Sequence, residues 1–348
     1  MKSIAIMKGG QLTTFFLAFL FVFFSIIALT SKLATAQSTD INVVFYNVEN
    51  LFDTINNEGV YDEDFTPEGK LAYNTERYWT KLNHISIVLD SSFSNQLPDI
   101  IGLSEVENRL VLEHLITQLP NSEWKIIHFD SPDGRGIDNA IVFNGDRFEL
   151  IRSEPIKVDL GKEGRATRDI LLASFIDRIT HEEIVVFVNH WPSRYGGELE
   201  SNWKRVMASQ TLQTAINSLG DYSEQNIIVM GDFNDQPSNE SVLGLTNCNS
   251  GLCLVNLFTQ FEATDNGTYV YKDEWGVLDQ ILVSKKMLDD QSNYNIDLES
   301  VGAYKSDFML YENKKLGKMF PSRSYGGTKY YGGYSDHLPV KMIINTKS

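Results

Sequence analysis

The 348-residue chain carries a scattered set of side chains that only make chemical sense together: Asn47, Glu49, Glu105, His190, Asp232, Asn234, Asp279, Asp336 and His337. They offer carboxylates, carboxamides and two imidazoles, and no thiolate. Oxygen-rich donor sets suit Mg²⁺ or Mn²⁺, with Ca²⁺ as a supporting ion, whereas zinc favours His and Cys. The reaction that needs such a set is hydrolysis of a phosphodiester. Water is a poor nucleophile, and the charged phosphate oxygens repel it. A cation offsets that charge, a His held by a carboxylate takes the proton, and a second His or a Lys assists the leaving oxygen. General acid–base help of this kind is worth ~10²–10⁴-fold per group. A serine hydrolase built on Ser193 or Ser335 beside a His is the rival, but the chain has no G-x-S-x-G turn.

These residues fall at the ends of short apolar runs. The densest case is NIIVMGDFNDQPS, residues 226–238, where 227–230 reads as a buried strand that stops at Gly231 and delivers Asp232, Asn234 and Asp235. Asp and Asn there also suit an ordinary turn, in which they cap backbone N–H groups. The same design recurs along the chain. A first strand at 41–46 leads to Asn47 and Glu49, a strand at 100–103 to Glu105, and one at 184–188 to His190 and Arg194. Asp279 precedes a strand at 280–283, and Ser335, Asp336 and His337 precede one at 340–344. Further strands are expected at 124–129, 140–143, up to 158, at 170–176 and at 268–271. Helical periodicity marks 77–89 (Tyr78, Leu82, Ile85, Val88, Leu89), 111–119, and 198–219 with Trp203, Val206, Leu212 and Ile216 on one face. Strands and helices interleave with no repeat and no linker, which predicts one α/β domain. Strand ends meeting at one rim of a sheet would form a rigidly positioned site.

The first 36 residues read as a cleaved signal peptide. Lys2 and Lys8 precede an apolar run at 15–29, and Ala34-Thr35-Ala36 supplies the small-x-small cleavage pattern. The run is shorter than the ~20 residues a membrane span needs, and no Cys marks a lipid anchor. The expected mature protein is residues 37–348, secreted or periplasmic, monomeric and without stable membrane association. The formal charge is −16, and the signal carries only Lys2, Lys8 and Lys32 of the charged residues, so the mature chain is still more acidic. That argues against tight non-specific binding to nucleic acid; metal-assisted turnover of a polyanion stays open. Cys248 and Cys253, with four residues between them, read as a local disulfide in an oxidising compartment; two free thiols are the alternative.

The ordered blocks YNVENL, IIGLSEVEN, VNHWPS, VMGDFNDQP, LDQILVS and YSDHLPV resemble the endonuclease/exonuclease/phosphatase family of metal-dependent phosphoesterases. The resemblance implies a four-layer α/β/β/α sandwich, two packed mixed β-sheets flanked by helices. It also implies roles. Asn47, Glu49 and Glu105 match the metal-binding positions, and Asp336 an acid beside the metal. Asp232 and Asn234 match the pair that orients the attacking water and the phosphate. Asp279 matches the carboxylate that orients the catalytic His337. His190 matches a general acid or phosphate ligand of the deoxyribonuclease and sphingomyelinase branches.

For substrate, residues 314–329 form a cationic, aromatic stretch with Lys314, Lys315, Lys318 and Arg323, and no acid. Such a loop suits a polyanion with stackable bases, although charge runs are often simply solvated. Arg135 and Arg194, in glycine-rich loops, could clamp phosphate, and Arg109 is a weaker candidate. The expected function is hydrolysis of extracellular DNA or RNA. A phospholipid or small phosphate ester is the alternative substrate, though no apolar hairpin for membranes stands out. A non-catalytic binding protein would be expected to have lost part of this set.

Overall fold

The computed structural model describes residues 39–347 apart from 95, 121, 122, 250 and 263. The signal-peptide reading falls on residues 1–36 and lies outside the described residues. From Asp40 onward the chain is one compact unit.

Two six-stranded sheets carry the structure. The first is built from β1 (Ile41–Leu51), β2 (Ile100–Val106), β3 (Trp124–His128) and β4 (Asp138–Asn144), with two strands from the end of the chain. The second contains β5 (Phe148–Ile156), β6 (Ile170–Asp177), β7 (Glu183–His190), β8 (Asn226–Asp232) and β9 (Val255–Asn256). A small hairpin, β10 (Tyr269–Tyr271) and β11 (Glu274–Gly276), precedes β12 (Asp279–Val283), which completes that sheet. β13 (Tyr294–Ala303) belongs to the first sheet; two hairpins follow, β14 (Leu310–Asn313) with β15 (Lys318–Pro321) and β16 (Tyr325–Gly326) with β17 (Lys329–Tyr330), and β18 (Val340–Thr346) closes the first sheet. The orders are β13-β18-β1-β2-β4-β3 and β5-β6-β7-β8-β12-β9.

Each sheet has one parallel pair at its centre, β1–β2 in the first and β7–β8 in the second, flanked by antiparallel neighbours. The carboxyl ends of the parallel strands and the start of an antiparallel neighbour therefore lie at the same edge. That arrangement brings several of the polar strand ends noted above to one edge of each sheet.

The apolar runs lack polar alternation because both faces are covered. Within β1, Val43 and Phe45 join the core between the sheets, while Val44 and Tyr46 join a second core outside it. Likewise Ile228 and Met230 of β8 point between the sheets, and Ile227 and Val229 point outward. Helices α1 (Thr75–Ser91) and α2 (Arg109–Gln118) cover the first sheet through Leu82, Ile85, Val88, Leu89, Leu112 and Leu115. Helices α3 (Glu198–Ser218) and α4 (Glu240–Thr246) cover the second through Ala208, Leu212, Ile216, Val242 and Leu245. The four layers are as expected. Gly102 marks how closely the sheets approach: a Cβ there would stand 2.7 Å from Met230 Cε.

Three expectations need correction. α3 buries Ser201, Arg205, Ala208, Ser209, Leu212 and Ile216, while Trp203 is exposed; the apolar periodicity misled because a buried arginine occupies the inner face. The sequence does not announce β13, since Asn295, Asp297 and Glu299 interrupt its apolar residues and its pairing breaks between Asp297 and Gly302. Residues 314–329 are not one loop but parts of two hairpins. Cys248 and Cys253 form a disulfide.

Candidate active site

β1 and β2 run past the points where their sequences suggested they would end, and they do so through bulges. Pairing shifts between Asn47 and Leu51 of β1, and between Ser104 and Val106 of β2. In these bulges Glu49, Asn50 and Glu105 adopt left-handed backbone, with φ of 53°, 54° and 64°. Non-glycine residues rarely sit there, at a cost of order 1–3 kcal/mol each, and bulges beside active sites serve to re-aim side chains. Here the Asn50 N–H donates to Glu105 Oε2 at 2.9 Å, tying the two strand ends together. The Glu49 N–H donates to Asn47 Oδ1 at 3.1 Å, and Asn47 Nδ2 donates across to Asp232 Oδ2 at 3.0 Å. Asn47 thus joins the first sheet to the second.

On the second sheet, parallel register sets His190 beside Asp232, and antiparallel register sets Asp232 opposite Asp279. The chain then returns with His337, whose Nδ1 lies 2.7 Å from Asp279 Oδ2. A carboxylate only accepts, so Nδ1 carries the hydrogen and Nε2 faces Asp232 Oδ2 at 3.8 Å. His190 Nε2 lies 3.7 Å from the same oxygen and 3.9 Å from Glu105 Oε1. Asp232 spends its other oxygen on a turn, accepting from the Asn234 N–H at 2.9 Å. Asn234, itself at φ 50°, donates its Nδ2 to the Trp191 carbonyl at 2.9 Å. The turn reading of Asp232 therefore holds, and its other oxygen, Oδ2, faces both His190 and His337.

Burial and charge set the protonation states. Burial, followed by the nearby Asp279, raises Asp232 to about 6, against help from His337. Burial opposes the imidazolium of His337, but Asp279 and Asp232 outweigh it and push its pKa well above the ordinary value. His190 goes the other way, held well below its ordinary value by burial and then by Arg168 and Arg135. Glu49 is raised by burial and by Asp336, with Lys81 opposing, and Asp336 is raised by burial and by Glu105. These carboxylates crowd one rim and hold their charge with difficulty. An oxygen-only donor set under mutual repulsion fits a hard divalent cation; Glu49, Glu105 and Asp336 are the residues that would hold it, and a cation there would also draw His337 back toward its neutral form. Asn47 fits less well as a ligand, because its amide is committed to Asp232 and Glu49.

The cleft above this rim encloses about 870 Å³ and includes Glu105, Arg135, His190, Asp232, Asn234 and His337 in its lining. Arg135 reaches within 3.9 Å of Glu105 Oε1 and remains half-exposed. Arg194 also lines the cleft, but its guanidinium is committed to the Asn234 carbonyl at 2.7 Å, to Asp235, to Asn239 and to Glu198; it braces the GDFND turn. Arg323 pairs with Asp336 at 3.2 Å. Lys314, Lys315 and Lys318 are exposed around the β14–β15 turn and line none of the cavities described here. Arg109 pairs with Glu113 on the surface.

Several contributors escaped sequence reasoning. Lys81, buried on α1, donates to Ser324 Oγ at 2.8 Å and to the Tyr334 carbonyl at 2.7 Å, with Glu49 Oε2 at 3.7 Å. The Ser324 N–H donates to Glu49 Oε2 at 2.7 Å. The Tyr269 ring lies 4.6 Å from that of His337, and the Thr268 hydroxyl accepts from the Asp279 N–H at 3.0 Å. Arg168, buried, donates to Asp133 and to the Trp191 carbonyl. Only Lys81 left a trace, a cation inside the apolar stripe between Tyr78 and Leu82.

The model of one family, described as the endonuclease/exonuclease/phosphatase family, matches residues 42–346. The chain belongs to this family. Its sandwich is the phosphoesterase fold of that family, and membership supports a phosphoric ester hydrolase; divalent-metal dependence is typical among these enzymes. Solved structures agree in fold. An endonuclease/exonuclease/phosphatase family protein from Bacteroides thetaiotaomicron is 18% identical, covering 88% of this chain and 95% of its own, with a TM-score of 0.58. A mannosyl-6-phosphatase from the same organism is 18% identical, with 87% and 99% covered and a TM-score of 0.56. TDP2 from D. rerio, complexed with a single-strand DNA product, is 14% identical, with 89% and 100% covered and a TM-score of 0.55. Among curated proteins no sequence match was found.

Proposed function

We propose that the protein is an exported, divalent-metal-dependent phosphodiesterase that hydrolyses nucleic acid or its fragments. The observation that carries this reading is the His337–Asp279 pair, at 2.7 Å, aimed at a rim of crowded carboxylates. Mg²⁺ or Mn²⁺ held by Glu49, Glu105 and Asp336 would supply positive charge against the phosphate oxygens. Neutral His337 takes the proton of the attacking water at Nε2, and Asp279 fixes its tautomer and steadies the imidazolium that forms. Asn234 and Asp232, locked by their turn, orient the water and the phosphate. His190 is held neutral, so it serves better as an N–H donor to a phosphate oxygen than as a proton source. Arg135 adds a cation at the mouth of the cleft. The exposed lysines of the β14–β15 hairpin could guide a polyanion toward it, although they do not line it.

A small phosphate ester is the second reading. It is favoured by the acidic chain and by the phosphatase among the similar structures. A Mg²⁺-supplemented panel of duplex DNA, single-stranded DNA, RNA, sphingomyelin and small phosphodiesters separates the two. The expected outcome is fastest turnover of a nucleic acid; turnover confined to sphingomyelin or to small esters would reject the nuclease assignment.

A further inference from the structure

A second, smaller cavity of about 270 Å³ adjoins the cleft, sharing Asn50 and Asp336 with it. It lies between the start of α1 and the β16–β17 hairpin, and three cations line it: Arg77, Lys81 and Arg323. Two of them are partly spent. Lys81 gives two of its three hydrogens to Ser324 and Tyr334, with Glu49 Oε2 3.7 Å away, so it offers mainly charge. Arg323 directs one nitrogen at Asp336.

Arg77 is different. Its guanidinium lies 4.5 Å from the centre of the Tyr330 ring and donates from one nitrogen to the Leu71 carbonyl at 2.5 Å, with the Tyr325 hydroxyl 3.5 Å away. Among the described residues no carboxylate stands within ion-pair distance of it. A guanidinium held flat by an aromatic ring, with donors to spare, is organised for bidentate recognition of an oxyanion. Tyr73 also lines the cavity, and its hydroxyl is buried without a hydrogen-bond partner. Buried polar groups normally find partners, so an orphaned hydroxyl points to a missing one.

Among the described residues the acids lining this cavity are Glu49 and Asp336, which are also two of the three residues fitted to hold the cation. With part of that charge offset by it, Arg77, Lys81 and Arg323 leave the cavity net positive. Its volume falls just below the ~300–1,000 Å³ usual for small-molecule sites, which suits a single phosphate group. We propose that this side pocket binds a second phosphate of the substrate, one that is not hydrolysed, with Arg77 as its principal donor and Tyr73 as an auxiliary one. The inference rests on the phosphodiesterase reading, and it makes the favoured substrate one with neighbouring phosphates, as along a polynucleotide.

The test is a calorimetric titration of the Mg²⁺-loaded His337→Ala protein, which suppresses turnover, with adenosine 5′-monophosphate and adenosine 3′,5′-bisphosphate. The bisphosphate is expected to bind at least ~10-fold tighter, the scale of a hydrogen-bonded charge pair. Arg77→Met in the same background should remove most of that preference, and Tyr73→Phe part of it. Equal affinity of the two nucleotides, absence of binding by either, or a preference that survives in both variants would overturn the proposal. If Arg77→Met fails to fold, an unchanged preference in Tyr73→Phe has the same force. Diester hydrolysis by the wild-type protein without a bisphosphate preference would sink the side pocket alone, whereas no hydrolysis of any ester would sink the phosphodiesterase reading itself.

Discussion

In the proposed mechanism the chemistry turns on His337, and its neighbours explain why it needs support. Asp279 and Asp232 stabilise its charged form, so in isolation it would hold a proton rather than accept one. A cation near the same carboxylates would oppose that bias. Replacing His337 with Ala should lower kcat by ~10²–10⁴-fold, the usual worth of a general base. Asp279→Asn should cost at least ~10-fold, because the ring loses the charge that steadies it. Steady-state kinetics on a chromogenic diester measures both, and a near-normal rate for His337→Ala would remove it from the mechanism. Asp232, raised by burial to about 6, enters the proposed mechanism as the ionised carboxylate. Activity should therefore fall as the pH drops through that value, and a rate that held or rose on acidification to pH 5 would contradict this.

At the scale of elements, the site is a product of parallel pairing and bulges. The apolar runs were legible because strands covered on both faces lose alternation, and the polar residues at their ends followed directly. The bulges were not legible: nothing in ENL or SEV announces that Glu49 and Glu105 will take left-handed backbone, since tertiary hydrogen bonds impose it. Arg205 was also hidden, because an arginine on the inner face of α3 looks like a break in the stripe until its partner is known. That partner is Asp235, 2.8 Å away, with both side chains almost wholly buried. Asp235 also accepts from Ser241 of α4 and from Arg194, so the second acid of GDFND holds the turn to two helices. Asp235→Ala would strand a buried guanidinium and should destabilise the fold by about 3–5 kcal/mol. Urea denaturation measures it; a loss under 1 kcal/mol would mean the pair is dispensable.

Across the whole molecule, residues spread from Asn47 to His337 converge on one rim, and the family match spans nearly the same range. Among the described residues no helix is long and apolar enough to cross a membrane. Export remains a proposal drawn from the first 36 residues. If it is right, intact-mass measurement of the mature protein should find an N-terminus at Gln37, and retention of residues 1–36 in the native host would argue against cleavage. The proposed hydrolysis depends on a hard cation among Glu49, Glu105 and Asp336. The direct measurement is hydrolysis of bis(4-nitrophenyl) phosphate after dialysis against EDTA, followed by addition of Mg²⁺ or Mn²⁺. The expected result is no turnover in the chelated protein and recovery with either ion; full activity in the presence of the chelator would overturn the metal-dependent mechanism.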